Sequence, residues 1–172
     1  MGWRSNYRQH CRNLPSTNDF NDLVEGCKMD QVQTRAAILD VAALHLGVTD
    51  PSPFWLEAFG SVPAKHYAWC GVFALFCLRQ ATDCTWLWSV ASQKSGFLFR
   101  LNHITDPQPG DVAYFDQPYQ HHALVQRVDG DRLYLIQGNY GTPGHVAESQ
   151  CSIATKKPAF FSIGRLLDLT NG

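Results

Sequence analysis

The sequence predicts an α+β domain in which N-terminal helices pack on a curled antiparallel β-sheet. Three observations carry that expectation. An apolar series at helical spacing runs between Asp30 and Gly47, and a continuous apolar run occupies Val72–Leu78. After Pro107 the pattern changes to short apolar stretches separated by turn signals. Helices first and a meander afterwards describe helices segregated to one side of an antiparallel sheet. A chain of 172 residues with a hydrophobic fraction of 45% has room for one domain with a real core. The expected division is an arm over residues 1–29 and a single domain over residues 30–172.

In the arm, Pro15–Asp19 reads as a turn and Phe20–Val24 as a short helical piece. Asp30 and Gln33 fit a helix N-cap pair. The series Val32, Ala36, Leu39, Ala43 and Leu46 then predicts an amphipathic helix over 31–46, closed by Gly47. Asp50-Pro51-Ser52-Pro53 breaks the chain, and Phe54–Phe59 is a short helix or an aromatic loop ending at Gly60. A central helix is expected from about Ala68 to Ala81, apolar nearly all round and so covered on most sides. Trp86-Leu87-Trp88 opens another amphipathic piece, and Gly96–Arg100 suits helix or strand.

Pro107-Gln108-Pro109-Gly110-Asp111 is a rigid turn leading into a strand at Val112–Phe115. His121–Val128 and Leu133–Asn139 are the next two strands, joined by the tight-hairpin signal Asp129-Gly130. His145–Ser149 is a candidate fourth, and Phe160–Leu166 reads as the last.

A net charge of −1 and the lack of any basic run leave no electrostatic footprint for nucleic acid or anionic lipid. The longest apolar stretch falls far short of the roughly 20 residues of a membrane span. Met1–Arg8 lacks the apolar core of a signal peptide, so synthesis in the cytoplasm is expected. The six cysteines are dispersed and form no Cys-x-x-Cys pair, so reduced thiols, no metal and no cofactor are expected. Cys70, Cys77 and Cys84 recur every seven residues, as a packing stripe of small side chains would.

Cys70 falls in the first turn of the central helix. There, unpaired N–H groups and the positive end of the dipole favour a thiolate, the attacking form of cysteine. A thiol nucleophile needs a base, and the base needs an orienting group. His121, His122 and His145 are the candidate bases. Strand side chains alternate, so only one of His121 and His122 can face the central helix.

Trp69-Cys70, Pro109-Gly110-Asp111-Val112, His121–Val128 and Gln137-Gly138-Asn139, in that order, resemble the CHAP group of cysteine amidases and peptidases. That group belongs to the papain-like NlpC/P60 superfamily, and the resemblance spans roughly Gln31 to Leu167. It implies Cys70 as nucleophile, His121 as base and Asn139 as orienting residue. The frame of His121, Ala123, Val125 and Val128 fits the family's strand pattern better than one begun at His122. Gln120 stands where the family usually has Gly, and Gln137 where it often has Glu. Gln137 is then an oxyanion-side donor, with Tyr67 and Trp69 as further oxyanion or substrate contacts. Gly144-His145-Val146 matches the same pattern superficially, but it follows no Pro-Gly-Asp turn and reads as a loop histidine.

The implied substrate is the stem peptide of bacterial peptidoglycan, cut at the sugar–peptide amide or within the peptide. Such a hydrolase suits a phage lysis enzyme or a delivered antibacterial toxin acting at the cell wall or periplasm. Delivery machinery and an inhibitory immunity protein are the partners this implies. Phe54-Trp55, Tyr119 and Tyr140 are candidates to line the cleft, with plain packing as the equal alternative. The competing reading is a non-catalytic wall-peptide or protein binding module on the same scaffold, favoured by Gln120 and Gln137.

Overall fold

Strands with apolar side chains on both faces need covering on both sides. The computed structural model of the protein describes residues 31–65, 67–82, 98 and 101–163. Helices α1 (Gln31–Ala43), α2 (Ser52–Phe59) and α3 (Cys70–Ala81) come first. Strands β1 (Asn102–Ile104), β2 (Val112–Phe115), β3 (His121–Asp129), β4 (Arg132–Tyr140) and β5 (His145–Ser152) follow. A short α4 (Ile153–Lys156) and β6 (Ala159–Ser162) complete the described elements. The strands form one antiparallel sheet in the order β1-β6-β2-β3-β4-β5. This is the α+β architecture that the sequence predicts. No helix among the described residues is long and apolar enough to cross a membrane.

The expected α2 exists and ends at Gly60, whose φ of 73° is a left-handed cap that favours glycine. β5 runs on to Ser152, beyond the expected Ser149. β1 and α4 were not anticipated: three residues and four residues are too short for a periodic signal. Residues 1–29, the Asp30 cap, Trp86–Trp88 and most of 96–100 lie outside the described residues.

Helix α3 packs on β3 and β4, and α1 and α2 pack against α3. Every residue from Cys70 to Leu78 is buried, as an apolar run with no polar stripe requires. Ile38, Phe54, Phe73, Leu75, Leu124 and Ile136 belong to the core between helices and sheet. Ala113, Ala123, Val125, Leu133, Leu135 and Phe160 build a second core on the opposite face, joined by Ile104 and Ile153. The registers Val112↔Leu124↔Ile136 and Ala113↔Ala123 keep the two sets apart.

The buried stripe of α1 differs from the expected one. Val32 is 69% exposed and Leu46 43%, while Thr34, Ile38 and Ala42 are wholly buried. Apolar side chains are spread almost evenly around α1, so periodicity does not choose a face. A polar tie chooses it. The Arg35 guanidinium donates to the Asp111 carboxylate at 2.5 Å, to Pro109 O at 3.0 Å and to Ser162 Oγ at 2.9 Å. The other oxygen of Asp111 accepts from Gln108 N–H at 2.8 Å. Gly110, at φ +88°, lies so close to Arg35 that an added Cβ would be 3.0 Å from its Cα. The Pro-Gly-Asp turn is thereby pinned to α1. Beyond α1, Gly47 N–H donates to Val146 O, and Val146 N–H to Val48 O, which fastens this end to the edge strand β5.

Asp111 is fully buried, so removing its charge leaves the guanidinium without its ionic partner. Asp111→Ala is expected to lower the unfolding free energy by about 3–5 kcal/mol in a urea titration. A loss below about 1 kcal/mol would show that the tie does not hold α1 in place.

Candidate active site

Helix α3 begins at Cys70 because Trp69, at φ −119° and ψ 13°, has left helical geometry while its carbonyl accepts the first helical bond from Phe73 N–H at 2.9 Å. Trp69 turns inward and is 5% exposed, with its ring 5.6 Å from that of Phe54. Gly138 on β4 sits directly beneath. A Cβ there would come 2.5 Å from Trp69 Cζ3 and 2.6 Å from Phe73 Cβ. The absent side chain is what lets the first turn of α3 settle onto the sheet.

That approach brings a sulfur and an imidazole together. Cys70 Sγ lies 3.7 Å from Nδ1 of His122, and both residues are buried. Carrying the register two residues on from the Leu124–Ile136 pair sets His122 level with Gly138. On its other side the ring of Tyr114 stands 5.1 Å away, from β2.

Burial governs the protonation of this pair. It pushes the Cys70 thiol above its ordinary value, against backbone hydrogen bonds from His122, Gly71 and Cys70. It also pushes His122 down to about 3, with the neighbouring charge of His121 acting in the same direction. Burial thus favours the neutral form of both groups. The standing thiolate expected from the helix terminus is not what this environment favours, because desolvation outweighs the backbone hydrogen bonds to the sulfur.

His121 is not beside the thiol. It occupies the opposite face of β3, where its Nε2–H donates to Gln137 Oε1 at 2.5 Å. Gln137 in turn donates through Nε2 to Ser149 Oγ, so one chain of side-chain bonds crosses β3, β4 and β5. Gln137 is thus committed away from Cys70, and the expected oxyanion role does not fit its position. The frame His121, Ala123, Val125 misled because both faces of β3 are apolar. Ala123 and Val125 line the second core, and Leu124 the first. A match to small and branched residues therefore carried no information on which face holds the helix. Sequence reasoning named His122 but had no signal to select it.

The remaining expected residues are dispersed around this pair. Trp69 is a core side chain, and its burial does not suit a substrate contact. Tyr67 is 58% exposed, with its ring 6.4 Å from that of Trp55. Asn139 lies in the β4–β5 bulge at φ +57°, a conformation asparagine tolerates better than most side chains. Its amide oxygen is close enough to Gly144 that a Cβ there would be 2.4 Å away. His145 opens β5, the candidate fourth strand, and its ring bonds through Nδ1 to Pro143 O at 3.1 Å.

The family profile for the CHAP domain matches residues 62–139, which contain Cys70, both candidate histidines of β3 and Asn139. No curated protein matches the chain. Among solved structures, the crystal structure of Ly7917 with the hydrolyzing product of MDP is 26% identical over 34% of this chain and 29% of its own, with a TM-score of 0.30. The crystal structure of Ly7917 is 15% identical over 78% of this chain and 62% of its own, with a TM-score of 0.46. The chain thus spans less than two thirds of either chain.

The protonation states make a stability prediction. An unfolded imidazole takes up a proton near pH 6.5, whereas folded His122 resists until about pH 3. In that window the unfolded chain binds more protons, so stability falls as pH drops through it. The melting temperature should decline more steeply between pH 7 and pH 4 in the wild type than in His122→Gln. Parallel slopes would mean that the ring is not held neutral.

Proposed function

Taking the CHAP domain at residues 62–139 as the premise, we propose that this chain is a peptidoglycan hydrolase with Cys70 as nucleophile and His122 as general base and acid. Asn139 is the residue that orients the imidazole in this reading, from the strand next to His122. The single observation that carries it is the 3.7 Å approach of Sγ to Nδ1 at the first turn of a buried helix.

As Sγ attacks the amide carbonyl carbon, its proton passes to Nδ1 of His122 and the carbonyl electrons move onto oxygen. The backbone N–H of Cys70, which has no carbonyl acceptor one turn earlier in α3, is the oxyanion donor in this reading. The imidazolium then gives its proton to the leaving nitrogen and the C–N bond breaks, leaving a thioester. Water, losing a proton to the same ring, attacks the thioester and releases a carboxylic acid and the free thiol. Because burial disfavours both ions at rest, charge develops only with substrate in place, where the oxyanion donor shares it. The substrate is the stem peptide of the cell wall. A wall-lytic role follows, reached by cell lysis or by delivery as an antibacterial toxin, with an immunity protein as the natural restraint on the latter.

Purified peptidoglycan and the release of new amino groups test the assignment. Cys70→Ala should be inactive, and His122→Ala should lose about 10³-fold or more in kcat. His121→Ala should keep activity within about tenfold of the wild type. Loss at His121 with retention at His122 would overturn the pairing, and activity in Cys70→Ala would remove the thiol mechanism.

A further inference from the structure

A histidine ring turns about a broad, roughly two-fold torsion, so its own rotamer does not settle which edge it presents. A half turn of the His122 imidazole would bring carbon in place of Nδ1 to the sulfur, and no proton could pass. The direction of Nδ1 is therefore set by what packs around the ring. From β4, Asn139 acts on it in the reading above. From β2, the neighbour is Tyr114.

Tyr114 is the register partner of His122 across the β2–β3 ladder. Their ring centroids stand 5.1 Å apart at an interplanar angle of 52°, inside the range of about 4.5–7 Å in which aromatic pairs attract. Tyr114 is half-buried and packs on the core between helices and sheet, the side on which α3 lies. Its hydroxyl donates to Asp116 Oδ1 at 3.3 Å, and Asp116 is exposed just beyond β2. The phenol ring is thus held at its root by the strand ladder and at its tip by a carboxylate. His122, with this ring against it and Cys70 Sγ 3.7 Å from Nδ1, is only 4% exposed.

We propose that Tyr114 is a positioning residue: its ring, steadied by Asp116, holds the imidazole of His122 with Nδ1 turned to the sulfur of Cys70. The ring carries this role, since its contact with His122 is buried while the tie to Asp116 lies at the surface, where such bonds are weak. The inference rests on the hydrolase reading above and deepens it. A ring fixed beforehand gives up no freedom when the thiol proton moves, and a misplacement of about 1 Å in a reacting pair costs on the order of 10²-fold in rate.

Alkylation of Cys70 by iodoacetamide, followed by mass spectrometry of the peptide that carries it, reads the coupling of sulfur to imidazole without turnover. The rate should fall about tenfold in Tyr114→Leu, which keeps apolar bulk without a flat ring, and stay within about threefold in Tyr114→Phe. In a His122→Ala background, adding Tyr114→Leu should change the rate by less than about twofold, because the residue acts through the imidazole. On peptidoglycan, Tyr114→Leu should lower kcat about tenfold or more and leave KM within about twofold. An equal loss in the His122→Ala background, no loss at all, or a faster reaction in Tyr114→Leu overturns the proposal, since the ring would then be packing or a shield over the thiol. So does a Tyr114→Phe protein as slow as Tyr114→Leu, because the hydroxyl would then be what matters. A wild type that shows the alkylation pattern but cuts no peptidoglycan overturns the hydrolase reading and upholds the positioning of the ring.

Discussion

The candidate site depends on one close approach, that of the first turn of α3 to strand β4. Trp69 and Phe73 lie over Gly138 at a separation that no side chain on that strand would permit. With the helix this low, the sulfur of its first residue comes within reach of an imidazole from the adjacent strand. A larger residue at 138 would lift the helix end. The packing of the core and the approach of sulfur to imidazole are therefore the same contact, and buried cores transmit such shifts because they are densely filled.

Two polar devices keep that contact in register. On the helix side, Arg35 bonds to the Asp111 carboxylate, the Pro109 carbonyl and the Ser162 hydroxyl, tying α1 to the start of β2 and to β6. On the far side, His121, Gln137 and Ser149 link three strands within an otherwise apolar face. Buried polar groups are costly unless satisfied, and satisfied ones favour a single arrangement over near alternatives. The paired histidines of β3 thus serve different purposes: one stabilises the sheet, and its neighbour meets the thiol. The low dielectric that orders these bonds also leaves the thiol and ring neutral at rest.

Much of the architecture was legible from local signals. The all-apolar run at Val72–Leu78, the left-handed glycines at 47 and 60, and the Asp129-Gly130 hairpin each follow from short-range sterics or burial. Less legible was anything decided by a choice between similar faces. Helix α1 has apolar residues nearly all round, and Arg35 selected the face bearing Ile38 over the one bearing Val32. Strand β3 is apolar on both sides, and the same ambiguity sent the expected base to His121. The expected role of Gln137 failed with it, since both residues share the face turned from the helix. Trp69 was read as a possible contact for substrate because it neighbours Cys70, yet its ring is needed to fill space above Gly138.

By itself the chain order determined the kinds of elements, where most of them begin and end, and the cysteine that opens the buried helix. Those follow from backbone conformation and hydrophobic period, which act over a few residues. Only the tertiary structure decided which of two adjacent imidazoles meets that cysteine and whether the thiol rests charged or neutral. Both depend on which face of a two-sided strand the helix covers, and on how much water that covering removes.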